Sequence, residues 1–333
     1  MNGLGAKRIP FFFAIDYEKK APLIFSFNSI PEEICYKSKN YSIGRSSAIQ
    51  EQPFYLKKYP ISLEDYSKGF DIVQHHLKYG NSFLINYTAS TPIRTNYTLE
   101  QIYALTSARF KLLIKGRLVV FSPEAFVQIK NGTISTYPMK GTIDASIPNA
   151  SRIILEDEKE LAEHYTIVDL LRNDLSQVSK SVKVNRFRYI EEVISPHKNL
   201  LQISSEIAGQ LESNYHEHLG DIFDKLLPAG SISGAPKQKT IEVIKEAEDH
   251  DRELYTGIFG IFDGYNVESA VAIRFIQQTD SGLIYKSGGG ITYKSDVRAE
   301  YQEMIDKVYV PIHRKHQNIK WQNLQHPSAQ LSM

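Results

Sequence analysis

Apolar residues recur at helical spacing in two segments of the chain. In the first they follow intervals of three, four and seven, which puts them on one face and predicts an amphipathic helix over 156–175. The positions on this face are Leu161, Tyr165, Val168 and Leu175. A second pattern predicts a helix over about 297–308. Its apolar positions are Tyr301, Ile305 and Val308.

Apolar runs of strand length lie among these helical segments. They cover residues 118–121, 126–129, 270–276 and 282–285. The runs come in hairpin-like clusters and do not alternate strictly with helices, so they predict a largely antiparallel α+β fold. From Pro311 onward the sequence turns polar. We therefore expect one domain over 1–312 and a polar tail over 313–333 that is loose or packed only through Trp321.

Composition and charge exclude several classes of protein. The 333 residues are 42% hydrophobic and 23% charged, which is sufficient for a full buried core. With 39 basic and 38 acidic side chains the net charge is +1, so no long-range field favours nucleic acid or an anionic membrane as a partner. The single cysteine, Cys35, suits a reducing compartment. The apolar run Phe11–Ile15 is too short for a signal or membrane segment, and we expect a cytoplasmic protein.

Two glycine-containing segments depart from the nucleotide-binding motifs that they approach. Gly230-Ser-Ile-Ser-Gly234-Ala-Pro-Lys237 has too few residues between its glycines for a phosphate-binding loop, and Ile232 stands where a nucleophile elbow needs serine. Gly288-Gly-Gly290 lacks the third glycine of a dinucleotide fingerprint. Nucleotide binding and serine hydrolysis are therefore disfavoured.

Three glutamates lie where they could hold a cation. Glu163 projects beside the apolar stripe of Ile167 and Leu170, and such a carboxylate needs a partner. Glu300 and Glu303 stand at i and i+3, on one helix face. Converging carboxylate oxygens would suit Mg²⁺; the alternative is that these are solvated helix glutamates.

Other segments could receive an anion. Arg274 interrupts an apolar strand-like run, so its guanidinium must meet a carboxylate of the protein or of a ligand. The Gly288 to Gly290 turn leaves backbone N–H groups open to an anion, unless it is only a tight bend. Ser231 and Ser233 belong to a small-residue loop that opens a helix and would also receive an anion.

Lys140 and Glu124 form a possible pair of amine and acid. Lys140 follows a segment whose backbone is restricted by a proline, and it precedes a glycine. Its amine could act as a nucleophile if burial lowers its pKa. Glu124 lies about a hairpin's length upstream, so adjacent strands could bring both to one site. Each residue alone also fits an ordinary surface position.

Read in order, these segments resemble the chorismate-utilising enzymes, a family that includes anthranilate, aminodeoxychorismate, isochorismate and salicylate synthases. The matching motifs are Phe121-Ser-Pro-Glu-Ala-Phe126, Pro138-Met-Lys-Gly-Thr142, the segment 162–174, the segment 228–237, Ala272-Ile-Arg274, and Gly288-Gly-Gly-Ile291 with Glu300-Tyr-Gln-Glu303. They span 121–307, whereas the part up to about residue 120 is matched more thinly. The resemblance implies a single large α+β domain, with mainly antiparallel sheets packed as a sandwich and helices outside, and chorismate as the substrate.

The resemblance also implies roles for individual residues. Mg²⁺ would hold the ring carboxylate of chorismate through Glu163 and Glu303, with Glu300 nearby. The implied substrate-binding residues are Arg274, Tyr255, Gly288, Gly290 and Ser233. Lys140 occupies a position where aminodeoxychorismate synthases have lysine and anthranilate synthases have alanine, so it favours the first branch. Lys140 would attack C2 while Glu124 protonates the departing C4 hydroxyl, and ammonia would then enter at C4.

The chain departs from the family pattern at two positions. Leu84 stands where many relatives have glutamine and water-using relatives have lysine, which argues against isochorismate or salicylate formation. Gln202 stands where relatives often have histidine; His197 could substitute or be a plain loop residue. Since Cys35 lacks the context of a glutaminase nucleophile, ammonia would come from a separate glutamine amidotransferase subunit or from free ammonium. Anthranilate synthesis and a catalytically idle chorismate-binding subunit stay open as alternatives.

Overall fold

The structure, a computed structural model, describes residues 1–45, 52–194 and 199–312. Within these residues the chain forms eighteen strands and nine α-helices. The strands are β1 (Phe11–Ile15), β2 (Leu23–Ser26), β3 (Ile34–Lys37), β4 (Ser42–Ile43), β5 (Leu56–Lys58), β6 (Leu84–Thr95), β7 (Phe110–Ile114), β8 (Leu118–Ser122), β9 (Ala125–Lys130), β10 (Thr133–Thr136), β11 (Met139–Asp144), β12 (Lys180–Ile194), β13 (Asn199–Gln210), β14 (Gly234–Ala235), β15 (Ile258–Phe262), β16 (Val267–Val271), β17 (Phe275–Thr279) and β18 (Gly282–Ile291). The helices are α1 (Asn2–Ala6), α2 (Leu63–Lys78), α3 (Leu99–Leu105), α4 (Ala150–Glu156), α5 (Glu158–Ser176), α6 (Leu219–Leu226), α7 (Gly230–Ser233), α8 (Lys237–Ala247) and α9 (Val297–Asp306).

The described strands form two nine-stranded sheets. The first has the order β11, β13, β10, β9, β16, β15, β1, β2, and β12 also pairs with β13. The second has the order β14, β6, β18, β17, β8, β7, β3, β4, and β5 also pairs with β6. All of these described pairings between strands are antiparallel.

The two sheets pack face to face and the helices lie outside them. Alternate side chains of β1 point to opposite faces, as the pleat requires. Phe12 belongs to the core between the sheets, where its ring lies 6.1 Å from that of Tyr36 in the second sheet. Phe13 points the other way, and its ring lies 4.9 Å from that of Phe223 on α6. This arrangement confirms the α+β fold and the sandwich of antiparallel sheets expected from the sequence.

The predicted helix over 156–175 is confirmed as α5, which begins two residues later. The helix α4 ends at Glu156, and Asp157 adopts an extended conformation and accepts a hydrogen bond from the Glu160 amide, which caps α5. The buried face of α5 also differs from the prediction, since Tyr165 is 57% exposed. The buried positions along this helix are His164, Ile167, Val168, Leu171, Asp174 and Leu175.

Two predictions around the site are also corrected. The run 270–276 is two strands, because β16 ends at Val271 and Arg274 has a φ of 56° just before β17 begins. The segment from Gly288 to Gly290 is not a turn but lies inside β18. The predicted helix 297–308 is confirmed as α9, which ends two residues earlier.

The predicted tail 313–333 and His197 lie outside the described residues, so the domain boundary after residue 312 stays a prediction. Among the described helices, none combines the length and the apolar character that a membrane span requires. The cytoplasmic location stays a prediction.

Candidate active site

Glu124 and Arg274 lie on two neighbouring connections at which the chain crosses between the sheets. Residues 123–124 lead from β8 in the second sheet to β9 in the first, and residues 272–274 lead from β16 in the first sheet to β17 in the second. The Phe121 amide donates to the Arg274 carbonyl at 3.1 Å, and the Val271 amide donates to the Glu124 carbonyl at 3.2 Å. These bonds hold the two connections side by side, which fixes an acid and a guanidinium group at the same edge of the sandwich.

The Glu124 carboxyl group is set up to carry a proton. Burial raises its pKa, although a hydrogen bond from Ser231 and the charges of Arg274 and Lys140 oppose the shift. The Ser231 hydroxyl donates to Glu124 Oε1 at 2.8 Å. A carboxyl group with a raised pKa that is held by one hydrogen bond can serve as a general acid.

Arg274 lies among tyrosine side chains. Its guanidinium carbon lies 5.3 Å from the centre of the Tyr309 ring, and its Nε is buried with no hydrogen-bond partner among the described residues. The structure shows no ion pair between Arg274 and a carboxylate in the part of the chain that it describes, so the alternative of a structural ion pair is not supported there. Tyr255 is 4% exposed, and burial raises the pKa of its phenol, although the charges of Arg252 and Arg274 oppose the shift. The guanidinium is therefore suited to a ligand carboxylate.

Lys140 forms an ion pair with Glu163. Lys140 lies on β11 opposite Ile203 of β13, and its Nζ is 2.9 Å from Glu163 Oε2. Burial lowers the pKa of Lys140, but the carboxylates of Glu163, Glu160 and Glu303 outweigh it, and the pKa is raised. The lowered pKa that would favour a free nucleophile is therefore not found in this state of the site. Loss of the proton needs a change at the carboxylates that surround the amine.

The carboxylates of α9 converge on Gly289. A Cβ atom at this glycine would lie 3.3 Å from Glu303 Oε1, 3.4 Å from Glu300 Oε2 and 3.4 Å from Lys307 Nζ. Lys307 Nζ lies 2.5 Å from Glu303 Oε1 and donates to the Gly288 carbonyl at 2.8 Å. The spacing of i and i+3 thus brings Glu300 and Glu303 together, as the sequence predicts, and a lysine lies beside them.

The pairing of β6 with β18 does not use the amides of Gly288 and Gly290 for hydrogen bonds between these two strands. Gly288 lies opposite Thr88, and Gly290 lies opposite Asn86. The Thr88 amide donates instead to the Glu248 side chain at 2.8 Å. Pairs in an antiparallel ladder alternate between bonded and non-bonded, so Gly288 and Gly290 occupy non-bonded positions.

The same two glycine amides face the open side of β18. On that side β17 pairs with β18 only as far as Lys286. The predicted turn is wrong, but the amides of Gly288 and Gly290 point away from β6, where an anionic group can approach them. Leu84 adds an apolar wall, because its Cδ1 lies 2.9 Å from where a Cβ of Gly290 would be.

The predicted metal ligands have suitable donor atoms, but the structure does not bring them together as a metal site. Glu163, Glu303 and Glu300 supply the hard oxygen atoms that Mg²⁺ prefers. Within the described residues, however, no group of three or more acidic, histidine or cysteine side chains converges closely enough to hold a metal ion. Lysine ammonium groups lie against two of the carboxylates, Lys140 at Glu163 and Lys307 at Glu303. The donor chemistry fits Mg²⁺ if substrate or water oxygens complete the shell.

Several contacts at the site differ from the sequence-based expectations. Ser233 is fully buried and its hydroxyl donates to the Ala229 carbonyl at 2.8 Å, so it is turned into its own helix, and Ser231 reaches Glu124. Gln202 lies between β11 and β12, opposite Thr142 on one side and Glu191 on the other. Lys307 was not identified from the sequence, although its position four residues after Glu303 was a usable signal.

The comparisons with known proteins assign the family. The model of the chorismate binding enzyme family matches residues 19–313. The chain belongs to this family. It is 50% identical over 313 residues to an uncharacterised PabA-like protein of Pasteurella multocida, which covers 93% of this chain and 97% of that protein. It is 32% identical over 270 residues to aminodeoxychorismate synthase component 1 of Klebsiella aerogenes, covering 76% of this chain but only 58% of that protein.

A solved structure supports the same assignment. Anthranilate synthase component I from Streptococcus pneumoniae superposes with a TM-score of 0.64 at 25% identity, covering 78% of this chain and 60% of that chain. The chorismate-binding family therefore includes relatives with different reactions. The choice among these reactions depends on the residues of the site.

Proposed function

We propose that the protein is an aminodeoxychorismate synthase component 1, a transferase that converts chorismate and ammonia to 4-amino-4-deoxychorismate for 4-aminobenzoate and folate synthesis. The observation that carries the proposal is the amine of Lys140, which forms an ion pair with Glu163 and whose charge acts on Glu124. A lysine in this position gives the site a nucleophile that could attack the substrate ring. The 32% identical relative named aminodeoxychorismate synthase component 1 supports the same branch.

Glu124 acts first as a general acid in this proposal. Hydroxide is a poor leaving group, so the C4 hydroxyl of chorismate must receive a proton as its bond to carbon breaks. Burial raises the pKa of Glu124, which keeps a proton on the carboxyl group closer to neutral pH. The hydrogen bond from Ser231 orients the other oxygen of the carboxyl group.

Lys140 divides the substitution into two steps. Its neutral amine forms a bond to C2, both conjugated double bonds of the ring shift, and the C4 hydroxyl leaves as water with the proton of Glu124. Ammonia then forms a bond to C4, the two double bonds shift back, and the bond from C2 to the Lys140 nitrogen breaks. Glu124 takes up a proton from the new ammonium group at C4, which restores the enzyme. The raised pKa of Lys140 means that its proton must move before the attack, and the carboxylates of Glu163, Glu160 and Glu303 are the groups that hold it.

The remaining site residues bind the substrate. Arg274 and the amides of Gly288 and Gly290 would receive one carboxylate of chorismate, with Tyr255 closing the site beside the guanidinium. Glu163 and Glu303, with Glu300, would hold Mg²⁺. When bound, Mg²⁺ would supply positive charge that orients the other carboxylate of the substrate.

Ammonia is supplied from outside this chain in the proposal. Cys35, the single cysteine of the sequence, is fully buried, and burial raises the pKa of its thiol. A buried, protonated thiol is a poor nucleophile for glutamine hydrolysis. A separate glutamine amidotransferase subunit, or free ammonium, would therefore deliver ammonia.

Anthranilate synthesis is the second candidate, because the solved structure with a TM-score of 0.64 is an anthranilate synthase component I. The two functions differ in product. The purified chain is incubated with chorismate, Mg²⁺ and ammonium, and the products are separated by chromatography and identified by mass. A 4-amino product that keeps its enolpyruvyl group supports the proposal. Anthranilate with free pyruvate overturns it, and a reaction without ammonium is the control.

A further inference from the structure

A buried hydrogen bond lies directly beside the ion pair of Lys140 and Glu163. His164, the next residue on α5, is 1% exposed, and Ser205 on β13 is fully buried. His164 Nε2 and Ser205 Oγ are 2.7 Å apart. The edge of the His164 ring also meets Phe187 of β12, with the ring centres 5.6 Å apart. The bond joins the helix that carries Glu163 to the central strand of that part of the sheet.

The surroundings leave Ser205 free to pair with the imidazole. The Arg188 amide donates to Ser205 Oγ at 2.9 Å, from a point in β12 where the register shifts and Arg188 has a φ of 48°. The serine hydroxyl keeps one hydrogen and one lone pair, so it can pair with His164 Nε2 in either tautomer, and donation by Ser205 places the imidazole hydrogen on Nδ1. Burial lowers the pKa of His164 to about 4, which agrees with a neutral ring.

His164 contributes less to the stability of the fold than an apolar side chain would at the same position. It occupies the buried stripe of α5 together with Ile167, Val168 and Leu171, where an apolar side chain would pack without polar atoms. Its Nδ1 has no hydrogen-bond partner in the part of the chain that the structure describes. An unpaired buried polar atom destabilises the fold, so the histidine is better explained by what its other nitrogen does.

The helix and the strands are joined at two adjacent points. On the strand side, Lys140 lies opposite Ile203 of β13, and the Ser205 amide donates to the Pro138 carbonyl at 3.0 Å. The backbones of Lys140 and Ser205 are therefore held at fixed positions relative to each other by the pairing of β11 with β13. On the helix side, Glu163 and His164 are consecutive residues, about 100° apart around the axis. The apolar contacts of α5 place its buried face on the sheet, and the hydrogen bond of His164 with Ser205 adds a directional contact one residue from Glu163.

We propose that His164 is a positioning residue: its hydrogen bond with Ser205 fixes the rotation of α5 and so holds the Glu163 carboxylate at Lys140. The inference rests on the proposed function only for the roles of Glu163 and Lys140. During turnover the contact of Lys140 with Glu163 must open, whereas the bond between His164 and Ser205 is away from the reacting atoms and can persist. This bond therefore keeps Glu163 in position while its contact with Lys140 opens.

The test compares two substitutions of similar size. His164→Leu removes the nitrogen that bonds to Ser205, and His164→Gln keeps an amide group that can bond to Ser205. We expect H164L to lower kcat about tenfold with KM for chorismate within about twofold, and H164Q to recover most of the loss. Loss of chorismate is followed by its ultraviolet absorbance, which does not depend on the product formed. The identity of the product therefore tests the proposed function separately.

Ser205→Ala supplies the second arm. If the hydrogen bond is the cause, S205A resembles H164L, and the double variant is no slower than either single variant. Hydrogen exchange of peptides from 158–167 gives a readout without activity: exchange rises in H164L and S205A and stays near the wild-type rate in H164Q. Equal losses in H164Q and H164L, or additive losses in the double variant, overturn the proposal. So does unchanged exchange in H164L.

Discussion

Replacing Gly289 with alanine places one methyl group among the charged side-chain ends of Glu300, Glu303 and Lys307. The new Cβ would lie 3.3 to 3.4 Å from Glu303 Oε1, Glu300 Oε2 and Lys307 Nζ, which are the ends of flexible side chains. These ends can withdraw by a few tenths of an ångström, so the strain is small. The substitution also lowers the entropy of the unfolded chain, which stabilises a protein by about 0.4–1 kcal/mol where the backbone conformation is compatible. G289A should therefore keep its stability.

The neighbouring glycine provides a matched control. A Cβ at Gly288 would lie 2.2 Å from the Tyr87 carbonyl oxygen and 2.6 Å from Thr88 Cα, both backbone atoms of β6. Relief requires β6 and β18 to separate, and we expect G288A to lose about 3 kcal/mol or more. The two substitutions add the same atom one residue apart, on opposite faces of β18. The difference between the unfolding free energies of the two variants reports what each face of the strand contacts.

The functional effect is expected only in the stable variant. Metal sites tolerate displacements of about 0.2 Å in their ligands, so the shift of Glu303 and Glu300 in G289A should weaken Mg²⁺ activation about tenfold. Urea unfolding followed by circular dichroism gives the stability, and a Mg²⁺ titration of chorismate consumption gives the activation. The reasoning about the strand is refuted if G289A and G288A unfold at the same urea concentration. The reasoning about the carboxylates is refuted if G289A is stable and has the Mg²⁺ requirement of the wild type.

Three further predictions address the reacting groups. Lys140→Ala should lower formation of the 4-amino product by at least a hundredfold, measured by mass spectrometry, because the proposed mechanism uses the amine as its nucleophile; an unchanged yield would contradict that role. Because burial raises the pKa of Glu124 above its unfolded value, ionisation of this group destabilises the fold as pH rises through the raised pKa. Glu124→Gln should thus be more stable than the wild type at neutral pH, with the difference shrinking below about pH 4.5 in thermal unfolding scans. Chelation of divalent cations should abolish chorismate binding in calorimetry and not merely slow turnover; binding of normal affinity in a chelator would show that the glutamates do not need a cation.

The fold was predictable wherever periodicity reflects burial on one face. The helix over 297–308 and the strand-like runs at 118–121 and 126–129 appear in the structure as α9, β8 and β9. The helix predicted over 156–175 begins two residues later because Asp157 accepts a hydrogen bond from the Glu160 amide, a local contact that a count of apolar intervals ignores. The prediction of one strand over 270–276 was wrong because an apolar segment can pass from one sheet to another. The positive φ of Arg274, where the chain passes, cannot be recognised from the pattern of apolar residues.

The residue types of the site were predictable, but their contacts were not. Motifs named Lys140 and Glu163 separately, and only the packing of α5 on β11 and β13 places them 2.9 Å apart. Ser231 and Ser233 are equivalent in the sequence, yet in the short helix α7 one hydroxyl points to Glu124 and the other to the helix itself. His164 gave no signal, because a histidine within an apolar stripe cannot be distinguished from a core residue until its partner is known.

The balance of charge at the site explains why a cation should be needed for binding itself. Four glutamates line the site, at positions 160, 163, 300 and 303, and their nearest basic groups are Lys140 and Lys307. Chorismate adds two carboxylates. Arg274, whose neighbours are tyrosines, can receive one of them. The other would arrive beside the glutamates, and each like-charged pair about 4 Å apart costs about 4 kcal/mol at an effective dielectric constant of 20. A divalent cation held by these glutamates would supply the positive charge that offsets this repulsion. The two lysines cannot supply this charge, because each already neutralises a glutamate, and in the proposed mechanism Lys140 must lose its proton to react.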